Sequence, residues 1–191
     1  MALWDYDEND LLEDTTSGNY ISKSGCYDMQ IESAELINST ESKAQAIVLI
    51  LSNDTEKARV SLWFRGKNGE TVDFVKRLLN HVCFLAKTKA SDLEIKTMTE
   101  DNKRRVVIPK LANKSIGAFI KVKVNDQGNY DHILEGVYEP KSKKTAKEIK
   151  ENSSDCFKYK QMYKKYNGAT EEKQVNSKVE QSDFMDDEFP F

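Results

Sequence analysis

At 191 residues, with 38% hydrophobic and 32% charged residues, the chain has enough apolar sequence for one domain with extensions and too little for two comfortable ones. Its formal net charge of −3 hides segregated blocks: six acids and no base in residues 1–14, 18 bases against 16 acids in 15–140, nine lysines against three acids in 141–166, and seven acids against two lysines in 167–191. No apolar run approaches the length of a membrane span, and the three scattered cysteines argue against a disulfide framework or zinc site, so a cytoplasmic protein that meets a polyanion is expected.

The first stretch, MALWDYDENDLLED, lacks the basic start and apolar run of a signal peptide and reads as an acidic arm over residues 1–20. From Cys26 to Leu36 the apolar Tyr27, Met29 and Ile31 alternate with Asp28, Gln30 and Glu32, the period of a strand with one wet face. AIVLILS, residues 46–52, is apolar on both faces, and a short polar turn joins it to ARVSLWFRG, where Val60, Leu62 and Phe64 alternate with Arg59, Ser61, Trp63 and Arg65. The period then changes: Val72, Val75, Leu78, Leu79, Val82, Leu85 and Ala86 recur at three and four, which predicts a helix from about Thr71, its expected N-cap, to Lys87.

Residues 88–112 read as polar and irregular. IGAFIKVKV, residues 116–124, alternates again, and an Asn-Asp-Gln-Gly turn precedes YDHILEGVYEP, residues 130–140. Three strands, one helix and two strands is the element order of the OB-fold. The expectation is therefore a mainly β domain over 21–140, a five-stranded antiparallel barrel. Residues 141–166 form a lysine-rich extension, read as a short helix with Tyr159, Met162, Tyr163 and Tyr166 along one side, and 167–191 read as a disordered acidic tail.

If Val60, Leu62 and Phe64 face the barrel interior, Arg59, Trp63 and Arg65 share its outside, with Lys67 just beyond. The next strand repeats the pattern, with Ile116, Ala118 and Ile120 on one side and Phe119, Lys121 and Lys123 on the other. Rings on which bases stack, set between cations that hold phosphates, are the chemistry of sequence-tolerant single-strand binding. Lys103, Arg104 and Arg105 add a basic cluster. An oligomer interface, or packing of Trp63 and Phe119 under residues 88–112, would use the same residues. No catalytic constellation, phosphate loop, cofactor motif or metal-ligand spacing stands out, so a non-enzyme without cofactor is expected.

The last six residues, DDEFPF, resemble the acidic C-terminal tip of bacterial single-stranded DNA-binding proteins. Asp186, Asp187, Pro190 and Phe191 match that motif, and Glu188 and Phe189 keep its charge and bulk. The body, from about Gly25 to Pro140, is also similar to a phage family found among replication and recombination genes. The resemblance implies a phage protein that coats single-stranded DNA in the host cytoplasm and recruits replication and recombination proteins through residues 186–191. The alternative it leaves is an adaptor that binds protein partners and no DNA. Oligomeric state stays open.

Overall fold

The alternating runs become strands, and two irregularities make them curve. In β1 (Gly25–Asn38) Met29 and Ile31 turn inward, then the register against β2 (Gln45–Ser52) shifts between Ile31 and Ser33, so that Ala34 and Leu36 are the next to face the core. One extra residue bends a strand and changes which parity points inward. The bend lets β1 serve both sides of a barrel: its first half pairs with β6 (Lys114–Val124) and its second with β2. A second shift, between Phe119 and Ile120 of β6, lets β7 (Tyr130–Tyr138) turn in His132, Leu134 and then Val137.

The structure, a computed structural model, describes residues 19–100 and 103–172, with only the backbone of Glu100, Lys103 and residues 168–172. Most of the acidic arm and residues 173–191, including Asp186, Asp187, Glu188, Phe189, Pro190 and Phe191, lie outside it. β2 pairs with β3 (Lys57–Arg65), β3 with β7, β7 with β6, β6 with β1, and β1 with β2, which closes a five-stranded barrel with the strand order of the OB-fold. One detail corrects the expectation of an antiparallel barrel: β3 and β7 run parallel, with Val60 opposite His132. They are not hairpin neighbours, and the long crossover between them returns the chain in the same direction.

Ile31, Leu49, Leu51, Val60, Ile116, Ile120 and Val137 fill the interior, and α1 (Asp73–Leu85) adds buried Leu78, Val82 and Leu85 to the same core. The helix starts later than its apolar period suggests. Val72 is the N-cap without a side-chain cap bond, and Thr71 instead bridges back to Arg65 at the end of β3.

The segment read as irregular contains a β-hairpin, β4 (Lys96–Glu100) and β5 (Lys103–Val107), attached to the barrel by Glu35 of β1 opposite Val107. Past Pro140 come two helices. α2 (Ala146–Lys150) opens on a reciprocal cap, in which the Thr145 hydroxyl accepts from the Glu148 amide and the Glu148 carboxylate accepts from the Thr145 amide. α3 (Phe157–Glu172) extends the expected helix and lies across the outside of β1, β6 and β7. No helix among the described residues is long and apolar enough to cross a membrane.

Candidate nucleic-acid interface

The pleat of β3 sorts its side chains as the alternation requires. Ala58, Val60 and Leu62 are buried, whereas Arg59, Ser61, Trp63 and Arg65 are exposed, with 45% of Trp63 open to solvent. From Arg59 to Arg65 the row runs about 20 Å, at roughly 3.3 Å per residue. Register places Ala46 of β2 beside Trp63, Val48 beside Ser61 and Ile50 beside Arg59. The row is therefore flanked by small and β-branched side chains, with Ala46 and Val48 buried and Ile50 half-buried, so that the exposed indole and guanidinium groups are the parts of this face open to a ligand. Among the described residues, Arg59, Arg65, Lys67, Lys121 and Lys123 take part in no ion pair. Cations outside ion pairs keep their charge available for an external anion, although Lys121 also acts on Glu135.

At its Arg59 end the row opens into a cleft of about 560 Å³ lined by Tyr20, Arg59, Ser61, Gly128, Asn129, Tyr130, Asp131 and His132. The segment before β1 is pinned there. The Ile21 amide donates to Lys57, the Lys57 amide donates to Asn19, and the Ile21 carbonyl sits 2.8 Å from His132 Nε2. This holds the exposed Tyr20 ring stacked on His132, centroids 5.9 Å apart at 27°. On the other wall the β6–β7 turn is fixed by Asn125, whose side-chain oxygen accepts from the Gln127 and Asn129 amides, with Gly128 at φ +79°. The exposed Tyr130 follows at once.

Tyr20 and Tyr130 are the site residues that sequence reasoning missed. Tyr20 lies in no periodic run, and Tyr130 stands at the first position of a strand whose alternation says nothing of the cleft beside it. Only the Asn-Asp-Gln-Gly turn before Tyr130 hinted that an aromatic stood at a loop mouth. Asp131 adds one acid to the cleft, so the cationic character of this face comes from Arg59, Arg65 and the lysines of β6.

Lys121 and Lys123 lie on the outside of β6 opposite Ile133 and Asp131 of β7, which puts them two strands from β3, roughly 10 Å at the usual spacing. Phe119 requires a correction. It does point outward, but only 1% of it is exposed, because α3 lies over it. Its ring packs 4.9 Å from that of Tyr138, with Tyr159 and Met162 of α3 on the same cluster. A stacking platform there would have to expel the helix.

The cover over Phe119 is held by polar ties. Tyr138 donates to Asp28, Lys143 pairs with Asp28, and Lys165 and the Tyr166 hydroxyl both donate to Glu135, at 2.7 and 2.9 Å. Burial pushes the Glu135 carboxyl up, but the bonds from Lys165 and Tyr166, with the charges of Lys165 and Lys121, overcome it and leave it below the usual carboxylate range. Cys26, also under α3, is pushed up to about 11 by burial and stays a thiol at neutral pH.

The basic cluster divides. Arg105 lies opposite Met98 and pairs with Glu35 of β1 at 3.5 Å, while Arg104, opposite Thr99, takes the other face of the hairpin. Of Lys103 only the backbone, at the start of β5, is described. Lys67 is exposed in the turn after β3, where its carbonyl accepts from the Lys43 amide. Among the described residues no group of three or more His, Cys, Asp or Glu is arranged to hold a metal ion. No family model and no curated protein matches the chain.

Proposed function

We propose that this protein binds single-stranded DNA on the outer face of β3, without strong sequence preference, and has no catalytic role. The observation that carries the reading is the open row of Arg59, Trp63 and Arg65, whose cations have no ion-pair partner among the described residues. A ring flanked by free guanidinium groups stacks a base while its neighbours hold phosphates on either side. Tyr20 and Tyr130 extend the stacking surface into the cleft, and Lys121 and Lys123 widen the phosphate-binding band. An OB-fold barrel is compatible with this use and with others, so the reading rests on the side chains rather than on the fold.

Titration with poly-dT, watching tryptophan fluorescence in a Trp4→Phe background, tests it. Quenching is expected at low salt, with log affinity falling against log salt by about 0.7 for each phosphate neutralised, or a slope near −3 if Arg59, Arg65, Lys121 and Lys123 each hold one. Absence of quenching, or affinity indifferent to salt, overturns the proposal.

The second half of the proposal concerns residues 186–191. A terminal Phe offers a ring and a carboxylate together, so a partner with an apolar pocket beside an Arg or Lys can grip both, and Pro190 limits the freedom lost on binding. On this reading the segment recruits replication and recombination proteins, in keeping with a phage origin. Removing Asp186 to Phe191 should preserve or tighten DNA binding and abolish capture of such proteins. Loss of DNA binding instead would mean the segment has been misread, and intact capture by a chain that shifts no oligonucleotide would favour the adaptor.

A further inference from the structure

Among the described residues β4 ends the sheet order, hydrogen-bonded to β5 alone, and nothing covers either of its faces. Lys96, Thr97, Met98 and Thr99 are all exposed, Met98 by 53%, and Ile95 just before them by 57%. Free edges of this kind are normally blunted by shortness, charged side chains, a proline or a bulge, and β4, at five residues with Lys96, has the first two. β4 has no proline and its register against β5 has no bulge. Its charges are of opposite sign and stand symmetrically about the centre, in the order Lys96, Thr97, Met98, Thr99, Glu100.

We propose that β4 is a self-pairing edge through which two copies of the chain join antiparallel about a two-fold axis at Met98. A two-fold contact requires that when residue i meets residue j, j also meets i. Centred on Met98, the register sets Lys96 opposite Glu100 of the second copy, Thr97 opposite Thr99, and Met98 opposite itself. Opposite charges, paired threonines and a shared apolar contact are the favourable cross-strand combinations. Facing residues of an antiparallel pair point to the same side, so registers change in steps that keep parity. Centring on Lys96 would oppose two lysines, centring on Glu100 two glutamates, centring on Thr97 would leave Lys96 facing Met98, and centring on Thr99 would leave Met98 facing Glu100. One register therefore satisfies every position.

A two-fold axis perpendicular to the sheet also keeps the same faces together. The outer faces of β3, β2, β1, β5 and β4 of one copy continue into those of the other. The pairing does not depend on what that face binds. A five-residue strand buries little area, so the association is weak, with a dissociation constant on the order of tens of micromolar or above.

Charge exchange tests it on the full chain without DNA, by sedimentation equilibrium from about 5 to 500 µM. The native chain should dimerise over this range. Lys96→Glu sets a glutamate opposite Glu100 at both ends of the contact, and Glu100→Lys sets a lysine opposite Lys96 at both ends, so each alone should dimerise about tenfold more weakly. Mixing these two variants should restore dimers containing one of each, and the double variant Lys96→Glu/Glu100→Lys should dimerise like the native chain. Both substituted positions lie on the edge strand, Lys96 with its side chain exposed, and unchanged thermal unfolding verifies that the variants fold. A native chain that stays monomeric, single variants that dimerise undiminished, or a mixture that fails to pair each overturns the proposal.

Discussion

Trp63→Ala should weaken binding to poly-dT about 5- to 150-fold, the 1–3 kcal/mol that a stacked base is worth, and remove most of the fluorescence quenching. The effect is large because the indole, 45% exposed, stands between the exposed Ser61 and Arg65, and no aromatic ring among the described residues is stacked on it. Its partly exposed position means that stability should change by about 1 kcal/mol at most. The two readouts separate the explanations. Weaker binding with an unchanged melting curve supports a contact with DNA, whereas unchanged affinity would remove the proposed interface's central residue.

Phe119→Ala should do the reverse. Truncating a ring buried to 1% exposure between Tyr138 and α3 removes about 3–5 kcal/mol of folding stability, against a total of about 5–15 for a domain of this kind. Chemical denaturation followed by circular dichroism measures it. The loss should fall on the docking of α3, because Phe119, Tyr138 and Met162 form a cluster apart from the main core, and Tyr159 and Tyr166 lean on it. The fraction that remains folded should bind DNA within about twofold of the native chain. A variant with native stability and much weaker DNA binding would return Phe119 to the interface and mean that α3 leaves it in solution.

Most strands could be read from the chain because each has one dry side, and burial of that side imposes a period of two on the sequence. The β4–β5 hairpin could not. Both faces of β4 are wet, so KTMTE carries no alternation to detect, and its only early sign was the short apolar run RRVVIP that follows. The bend of β1 was hidden for another reason. The strand was read from Cys26 to Leu36, but its alternation was counted only through Tyr27, Met29 and Ile31, and a slip of one residue at Glu32 shows as a bend only once the register against β2 is known. Tyr20 was invisible because its position depends on backbone bonds to Lys57 and on His132, residues 37 and 112 places further along.

Trp63 and Phe119 show where the boundary lies. Local periodicity assigned both to the outside of a strand, and both are there. By itself the sequence determined the order of the barrel's elements and the inward or outward sense of most of their side chains, because the pleat couples each residue to its neighbours two places away. Only the tertiary structure decided which outward faces stay open. That depends on segments that return from far along the chain: α3 comes back over Phe119, while nothing among the described residues comes back over Trp63.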